Sequence, residues 1–573
     1  MGINPTPILE HLEFLYGSEV ASKTLPELTA RLQRFHPPNI STRPLDHRDA
    51  ILITYGDQFR STTANPLKTL QTFCRRFLNK TITGLHLLPF FPYSSDDGFS
   101  VIDFYQVNPN LGTWEDIQTL AADYLLMVDL VLNHTSVQNP WFQGFLHGNP
   151  AFQDFYITVP PETDLSAVVR PRALPLLTPF ETPQGTLWVW TTFSADQVDL
   201  NYKNPRVLLQ IIDVLLTYLE QGARIIRLDA VAYVWKEIGT PCIHLPQTHR
   251  LVQLFRTIVD QVAPWALLIT ETNVPHAENV SYFGDGNNEA HLVYNFALPP
   301  LILHTIYSGN ATALSQWAAS AFQLPSSDVT YFNFLASHDG IGINPVRGIL
   351  SPQEIEQIIA TVKNSGGLVS YKSNPDGSLS PYELNITLYD ALADPTSEEI
   401  SLQRFLLAHA ILIALRGVPG IYIHSLLGSS NWIEGVHALG YNRAINRQKF
   451  ILSEIEANLY RPDSRRARVL NGILTLIRAR QKSPAFDPYS DQTILDLSSA
   501  VFCVLRQTPD SLYAVLCLHN VTAQTQHIHI PLSHLFSTAS KGVELLTQRE
   551  IDITDSLEMV LPPYGVTWLE ITH

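Results

Sequence analysis

From about residue 50 the chain repeats one pattern, in which a short apolar run is followed by a longer stretch with amphipathic spacing. Short continuous apolar runs are typical of strands buried on both faces, and the stretches between them favour helices. Strand, helix and strand in alternation indicate parallel βαβ units. About eight such units over this length predict an α/β fold, a closed (β/α)8 TIM barrel. The predicted strands lie within ILITYG (51–56), TGLHLLPFF (83–91), LLMVDLVLNH (125–134), ARIIRLDA (223–230), ALLITET (266–272), LVYNFAL (292–298), TYFNFLASHDG (330–340) and PGIYIHS (419–425).

Breaks in this pattern predict the domain organisation. Leucines at helical spacing before HPPN predict a helical lead-in, and a Pro- and Thr-rich stretch without a clear helix predicts a small inserted domain after the third strand. A second insertion follows the seventh strand, and near the C-terminus strict alternation predicts an antiparallel β-domain. The predicted segments are 1–48 (lead-in), 49–134 with 201–489 (barrel), 135–200 (inserted domain), 345–386 (second insertion) and 490–573 (C-terminal β-domain).

Composition and charge limit the kinds of molecule that this protein is expected to bind. The 573 residues are 45% hydrophobic, and 37 basic against 53 acidic residues give a formal charge of −16. This excess of negative charge argues against nucleic acid or an anionic membrane as the main partner. No basic, apolar leader and no run long enough to cross a bilayer is evident. The four cysteines form no CxxC or Cys/His cluster, so free buried thiols are expected. We therefore expect a cytoplasmic monomer or homodimer.

Candidate chemistry appears where the predicted strands end. In RIIRLDA, Arg227 and Asp229 are two residues apart, so on a strand they point to the same face. Burying a charge without a partner is costly, so this face must meet other polar groups. The carboxyl ends of barrel strands converge on one site. A common functional site therefore explains several polar residues at these ends better than separate helix caps or loop anchors do. The other polar residues at strand ends are Asn133, His134, Glu271, His338 and Asp339.

These groups suit glycosyl transfer with retention. That chemistry uses one carboxylate as the nucleophile and one carboxylic acid as the proton donor to the leaving oxygen. Arg227 would keep Asp229 ionised as the nucleophile, whereas the uncharged WALLIT before Glu271 would help that residue keep its proton. Asp339 is left to hold the hydroxyls of a sugar ring that flattens in the transition state.

Four segments then give the sequence a family resemblance. DLVLNH, RIIRLDAV, LLITET and LASHDG, in this order, resemble the signature regions of the α-amylase superfamily, glycoside hydrolase family 13. Further segments resemble its sucrose phosphorylase subfamily, in which phosphate resolves a covalent glucosyl intermediate and releases α-glucose 1-phosphate. These segments are GLHLLPFFPYSSDDGF, RPRALP, WTTFSADQVDL, GTPCIHLPQTH, YNFALPPLILH, SHDGIG and NRAINR.

The resemblance implies a role for each matching residue. It makes Asp229 the nucleophile, Glu271 the acid/base and Asp339 the stabiliser of the transition state. Arg172 in RPR and Tyr382 in PYELN correspond to the groups that receive phosphate, and a planar guanidinium suits an oxyanion. No metal and no cofactor beyond the co-substrate phosphate are expected. The residues that correspond to glucose contacts are Asp96 and Arg443 as a gripping pair, Phe99 as an aromatic wall, and His134, Gln197, Arg227, Tyr233 and His338.

Departures from the sucrose enzymes lie around the acceptor pocket. PYSSDD, YKSNPDGSLSP and the helical lead-in are more similar to the subfamily's glucosylglycerate and glucosylglycerol phosphorylases. A glycerate carboxylate would favour a nearby cation, for which Lys372, Lys363 and Arg347 are candidates, although solvent-facing side chains are the alternative for each. A hydrolase or transglucosidase on the same scaffold would keep Asp229, Glu271 and Asp339. A non-catalytic binding subunit is disfavoured because all three carboxylates are present.

Overall fold

The computed structural model describes residues 2–40, 42–78, 80–374, 376–531, 541–553 and 556–572. Residues 532–540, 554, 555 and 573 of the predicted C-terminal domain lie outside the described residues. The α-helices are α1 (Pro5–Tyr16), α2 (Ser18–Gln33), α3 (Pro66–Phe73), α4 (Trp114–Asp123), α5 (Pro140–Leu146), α6 (Pro205–Glu220), α7 (Pro246–Val262), α8 (His276–Asn279), α9 (Leu298–Ser308), α10 (Thr312–Ala321), α11 (Pro352–Asn364), α12 (Leu388–Leu392), α13 (Glu398–Ala414), α14 (Ile423–Leu426), α15 (Ile433–Leu439), α16 (Leu452–Leu459) and α17 (Arg465–Arg480).

The strands fall into the barrel, the small sheets above it and the C-terminal sheets. In chain order they are β1 (Ile51–Thr54), β2 (Phe59–Arg60), β3 (Gly84–Leu87), β4 (Leu125–Val131), β5 (His134–Ser136), β6 (Leu177–Thr182), β7 (Gly185–Trp190), β8 (Gln197–Asp199), β9 (Ile225–Asp229), β10 (Leu267–Thr270), β11 (Leu292–Tyr294), β12 (Thr330–Asn333), β13 (Ile341–Gly342), β14 (Leu368–Ser373), β15 (Leu379–Asn385), β16 (Val418–Tyr422), β17 (Phe450–Ile451), β18 (Gln492–Ser498), β19 (Val501–Gln507), β20 (Tyr513–Asn520), β21 (Gln526–Pro531), β22 (Lys541–Glu544), β23 (Arg549–Asp552), β24 (Ser556–Leu561) and β25 (Val566–Thr572).

Eight parallel strands close into a barrel in the order β1, β16, β12, β11, β10, β9, β4, β3. Seven of them lie within a predicted apolar run, and β16 begins one residue before its run, so the prediction of a (β/α)8 barrel is confirmed. The runs form strands because both faces are covered: every residue of β1, β4 and β9 is buried.

Several barrel strands are shorter than the runs that predicted them. The run TYFNFLASHDG forms a strand only over β12, and the chain then leaves the sheet before His338 and Asp339. The apolar residues Phe334, Leu335 and Ala336 are nevertheless buried, because the loop they form packs over the end of the barrel. Apolar character here marks burial rather than strand conformation.

The segment 135–200 carries β5 to β8 and stands above the barrel. β5 pairs antiparallel with β8, and β6 with β7 forms a separate hairpin. The expectation that no clear helix occurs here is wrong over one short stretch, α5, where Asn139 caps the helix and Pro140 occupies its first turn. A small hydrophobic cluster supports the segment, made of Val159, Val168, Leu176, Trp190 and Cys242.

The segment 345–386 contains α11 and the hairpin of β14 and β15. β15 also pairs with β13, so this sheet begins a few residues before the predicted start of the insertion. The hairpin places Tyr382 and Glu383 beside the loop that carries Asp339, because Gly342 is the register partner of Glu383.

The two ends of the chain extend the barrel core. Helices α1 and α2 pack against α7 and α6, and the C-terminal strands form an antiparallel sheet in the order β18, β19, β20, β25, β22, β23. Cys503 and Cys517 lie on adjacent strands of this sheet but belong to different hydrophobic clusters, and both are buried free thiols. No helix within the described residues is both long and apolar enough to cross a membrane.

Candidate active site

One cavity opens at the carboxyl ends of the barrel strands, under the segments 135–200 and 345–386. Every residue predicted to act in catalysis or to bind glucose or phosphate lines this cavity except Arg227, which lies beneath it. The lining residues are Asp96, Phe99, His134, Arg172, Phe193, Gln197, Asp229, Ala230, Tyr233, Glu271, Thr272, Asn273, His338, Asp339, Tyr382 and Arg443.

Arg227 answers the charge problem posed by its strand. Its Nη1 donates to Asp229 Oδ1 at 2.6 Å and also contacts Asp129 on the neighbouring strand β4. Burial lowers the pKa of His86, so this imidazole is neutral and its Nε2–H donates to Asp129 Oδ2 at 2.8 Å. Although burial alone would raise it, Arg227 and His86 hold the pKa of Asp129 below its ordinary value. Arg227 is therefore fixed by one carboxylate while it supports another.

The chain turns sharply after Asp229. Ala230 has φ of 50°, in the left-handed region that non-glycine residues seldom adopt and that costs about 1–3 kcal/mol. This turn aims the Ala230 N–H at Glu271 Oε2, 3.1 Å away. The strained residue thus joins the ends of β9 and β10 and sets the position of Glu271 relative to Asp229.

Asp229 and Glu271 are buried carboxyls that both lie near the Arg227 guanidinium. Burial raises the pKa of both carboxyls, and the negative charge of Glu271 raises that of Asp229 further. Two buried like charges oppose each other's ionisation, so the second proton leaves this pair of carboxyls less readily than the first. Arg227 lies 2.6 Å from Asp229 but 3.8 Å from Glu271. The nearer guanidinium favours a negative charge on Asp229 over one on Glu271.

Asp339 has the opposite electrostatic environment. Arg443 Nη1 contacts its carboxylate directly, and Arg447 Nη2 lies 3.8 Å away. Burial opposes ionisation, but these guanidinium groups hold the pKa of Asp339 below its ordinary value. Asp339 is therefore ionised throughout the neutral range and free to accept hydrogen bonds from sugar hydroxyls.

Neutral rings and an amide form the wall beside the carboxylates. The rings of Phe99 and His338 stack with their centroids 4.7 Å apart and their planes 5° apart. Burial lowers the pKa of His134. Its Nε2–H donates to Phe99 O at 2.9 Å, because a carbonyl oxygen can only accept. Gln197 Nε2 lies 3.2 Å from the same imidazole. These groups present an apolar face and directed polar atoms, which is what a pyranose ring requires.

Asp96 and Arg443, predicted as a gripping pair, both line the cavity but each has another ion-pair partner. Asp96 Oδ1 lies 3.3 Å from Arg447, and Arg443 binds Asp339 and Glu383. Asp96 and Asp97 are consecutive residues with positive φ, 52° and 47°. Arg447 holds this strained turn by also donating to Asp97 Oδ2 at 2.8 Å.

The predicted phosphate ligands lie together at one side of the cavity. The Arg172 guanidinium is 5.7 Å from the centroid of the Tyr382 ring, and its Nη1 is 3.7 Å from Glu383. Lys363 and Arg347, proposed for an acceptor carboxylate, are exposed and do not line the cavity. Lys372 is partly buried near Glu278 and also lies outside the lining.

A buried lysine joins the segment 135–200 to the barrel. Lys236 Nζ lies 2.5 Å from Asp199 Oδ2 on β8 and donates to Asn133 Oδ1, just beyond β4, at 2.8 Å. Asp199 also accepts from Thr192 N and Oγ1 at 2.9 and 2.6 Å. Gln197 and His134 flank this ion pair on the paired strands β8 and β5, so the clasp positions two residues of the cavity wall.

Four ionisable residues that contact the predicted site residues, Asp129, His86, Glu383 and Arg447, were not themselves predicted. Asp129 and His86 interrupt apolar strand runs, a sequence signal that these positions meet polar groups within the barrel. Glu383 directly follows Tyr382, and Arg447 follows Arg443 in NRAINR, but nothing local distinguishes either from a surface residue.

Comparison with known proteins identifies relatives that share this barrel fold. The α-amylase catalytic-domain family matches residues 70–342. The chain is 51% identical to the glucosylglycerate phosphorylase of Spirochaeta thermophila, covering 98% of this chain and 97% of the relative, and 47% identical to that of Escherichia coli, covering 98% and 99%. The crystal structure of sucrose 6F-phosphate phosphorylase from Thermoanaerobacter thermosaccharolyticum superposes with a TM-score of 0.72 at 26% identity, covering 84% and 96%. The chain therefore belongs to the α-amylase family and shares it with these phosphorylases.

Proposed function

We propose that this protein is a retaining phosphorylase that cleaves an α-glucoside of the glucosylglycerate type with inorganic phosphate and releases α-D-glucose 1-phosphate. One observation carries the proposal: the carboxyl pair Asp229 and Glu271 lies in the same cavity as Arg172, in a chain 51% identical over 98% of its length to a glucosylglycerate phosphorylase. A hydrolase would need the carboxyl pair but not the cation.

In the first step Asp229 attacks the anomeric carbon while Glu271 gives its proton to the departing glycosidic oxygen. The bond to Asp229 forms as the bond to the acceptor breaks, which leaves a β-glucosyl ester and a neutral acceptor hydroxyl. Asp339, kept anionic by Arg443 and Arg447, accepts hydrogen bonds from ring hydroxyls as positive charge develops. Phe99 and His338 support the flattened ring.

In the second step phosphate replaces the acceptor. Glu271, now a carboxylate, takes the proton of the attacking phosphate oxygen, and the ester to Asp229 breaks. Two inversions at one carbon give net retention, so the product is the α-phosphate. Arg172 and Tyr382 hold the phosphate on the acceptor side of the cavity. No cofactor other than phosphate enters these steps.

The acceptor assignment follows from charge. Among the residues that line the cavity, Arg172 and Arg443 are the two guanidinium cations, and Arg443 is bound on both sides by Asp339 and Glu383. Arg172 is therefore the cation that can bind the carboxylate of glycerate in the first step and phosphate in the second. This replaces Lys372, Lys363 and Arg347 as the favoured partner of that carboxylate.

The proposal places the reaction in a reducing, cytoplasmic compartment, with a small sugar and phosphate as partners. The four cysteines are buried and free, which suits that compartment. Sugar phosphates carry charge and do not cross membranes readily, so an enzyme that makes one acts where the product is used.

The test is incubation with phosphate and, separately, sucrose, glucosylglycerate and glucosylglycerol, following glucose 1-phosphate. We expect phosphate-dependent release, fastest from glucosylglycerate. Release of free glucose at a rate independent of phosphate would show a hydrolase instead, and preference for sucrose would overturn the acceptor assignment.

A further inference from the structure

Glu383 is a fully buried carboxylate behind the acceptor side of the cavity. It lies on β15 directly after Tyr382, which lines the cavity, whereas Glu383 itself does not. A buried charge needs several hydrogen-bonding partners, so its contacts define what it does.

Three residues, Arg443, Gly340 and Asn385, donate hydrogen bonds to Glu383 on the glucosyl side of the site. Glu383 accepts from Arg443 Nε at 2.9 Å and from Arg443 Nη2 at 2.7 Å, a bidentate pair. It also accepts from the Gly340 N–H at 2.7 Å and from Asn385 Nδ2 at 2.8 Å. A Cβ at Gly340 would lie 2.5 Å from Glu383 Cγ, so glycine is required for this approach.

The fourth contact differs from the others in length and exposure. Arg172 Nη1 lies 3.7 Å from Glu383 Oε2, without a hydrogen bond, and the Arg172 side chain is 24% exposed. Glu383 thus holds Arg172 without a hydrogen bond, whereas it binds Arg443 by a bidentate pair. An anion entering the cavity competes with Glu383 for Arg172.

We propose that Glu383 is a positioning residue that fixes Arg443 and serves as the resting counter-ion of Arg172, which alternates between Glu383 and the anionic co-substrate. This inference rests on the proposed function, because it assumes that phosphate and an anionic acceptor bind in turn at Arg172. It adds a reason for their exchange: Glu383 weakens the hold of Arg172 on each anion, so neither the leaving acceptor nor phosphate is trapped.

The two roles of Glu383 affect different measurements. Loss of the Arg443 contact loosens the glucosyl site and slows transfer of the glucosyl group to any acceptor. Loss of the Arg172 contact strengthens the binding of phosphate and of an anionic acceptor at Arg172, but it does not assist attack by water. The partition of the glucosyl-enzyme between phosphate and water isolates the second effect, because both routes share the glucosyl transition state.

The experiment measures the phosphate concentration at which glucose 1-phosphate and free glucose form at equal rates from one donor. Glu383→Gln should lower this concentration about three- to fivefold relative to wild type, the effect of removing a competing ion pair worth about 1 kcal/mol or less. It should also lower kcat, because the loosened Arg443 slows transfer of the glucosyl group. The matched control is Glu356→Gln on the exposed face of α11, which should change neither.

Arg172→Gln combined with Glu383→Gln completes the test, since the gain should vanish without Arg172. Glu383→Asp, which keeps the charge but withdraws it from Arg172, should shift the ratio in the same direction and decides the matter if Glu383→Gln does not fold. An unchanged or raised phosphate requirement in either folded variant, or a gain that persists without Arg172, would overturn the inference. Failure of wild type to make glucose 1-phosphate would instead overturn the proposed function.

Discussion

The unequal surroundings of the Asp229 and Glu271 carboxyls decide what this site can do. Arg227 stands nearer to Asp229, so the two carboxyls are not equivalent even though burial raises the pKa of each. In the proposed mechanism Asp229 acts as the nucleophile and Glu271 as the acid because their distances from this guanidinium differ. Asp129 and His86 keep that guanidinium in place.

Glu271→Gln removes the proton donor while keeping its shape. We expect turnover of the natural donor to fall about 10²- to 10⁴-fold, the usual contribution of a general acid. Formation of the glucosyl-enzyme from α-glucosyl fluoride should largely survive, because fluoride departs without a proton. In wild type, kcat/KM for the natural donor should decline as pH rises through the raised pKa of Glu271. A similar alkaline decline with the fluoride in Glu271→Gln would assign it to another group.

Arg172→Ala tests the other half of the reaction. Without this guanidinium the glucosyl-enzyme loses a phosphate ligand worth about 1.5–3 kcal/mol of binding free energy. The rate of glucose 1-phosphate release should therefore fall roughly ten- to a hundredfold. Slow release of free glucose should continue, because Asp229, Glu271 and Asp339 are unchanged. Product analysis over a range of phosphate concentrations checks this, and an unaltered dependence on phosphate would remove Arg172 from the account.

Residue patterns could predict the groups that touch substrate better than those that support them. Asp229, Glu271 and Asp339 stand at or beyond strand ends, where barrel geometry brings side chains together. Glu383 and Arg447 act from behind the cavity, and their partners are 40 to more than 300 positions away in sequence: Gly340 for the first and Asp96 for the second. Long-range partners of this kind leave no local signal.

At the scale of elements, the eight barrel strands were predictable because burial on both faces makes them continuously apolar. Their lengths were not, since buried loops such as Phe334–Ala336 are equally apolar. The segment 135–200 was recognised only by its lack of pattern. Its attachment to the barrel depends on the charged clasp of Lys236 with Asp199 and Asn133, which pattern reasoning does not reveal.

Lys236→Met tests that clasp. Removing the ammonium leaves the Asp199 carboxylate buried without its cation, so we expect unfolding free energy to fall by about 3–5 kcal/mol. The chemical denaturation midpoint measures the loss. Lys203→Met is the matched control, because Lys203 pairs with Glu237 where both side chains are about half exposed, and it should change stability by less than about 1 kcal/mol. Equal effects of the two substitutions would show that the clasp contributes nothing special.

At the scale of the whole molecule, the buried carboxyls of the site make the free energy of unfolding depend on pH. A carboxyl whose folded-state pKa is raised contributes fully below its unfolded-state pKa and loses that contribution as pH rises through the folded-state pKa. Asp229 and Glu271 are of this kind. Asp339 and Glu383, whose pKa values are lowered, stabilise the fold above their unfolded-state values and lose that contribution as pH falls.

Glu271→Gln should therefore be more stable than wild type at alkaline pH. The difference in melting temperature should be small near about pH 4, where the unfolded carboxyl is protonated as well, and should grow as pH rises through the pKa of the pair. Thermal unfolding across this range measures it, with Glu356→Gln on exposed α11 as the control without pH dependence. A stabilisation that is constant with pH would mean that the gain does not come from the buried charge.

The measurement that bears most directly on the central claim is the anomeric configuration of the first sugar phosphate, followed by proton NMR from the start of the reaction with glucosylglycerate and phosphate. Covalent capture by Asp229 followed by phosphate attack predicts that α-glucose 1-phosphate appears first, in step with glycerate. Initial formation of the β-phosphate would contradict the account, because it would require phosphate to displace the acceptor directly without a glucosyl-enzyme.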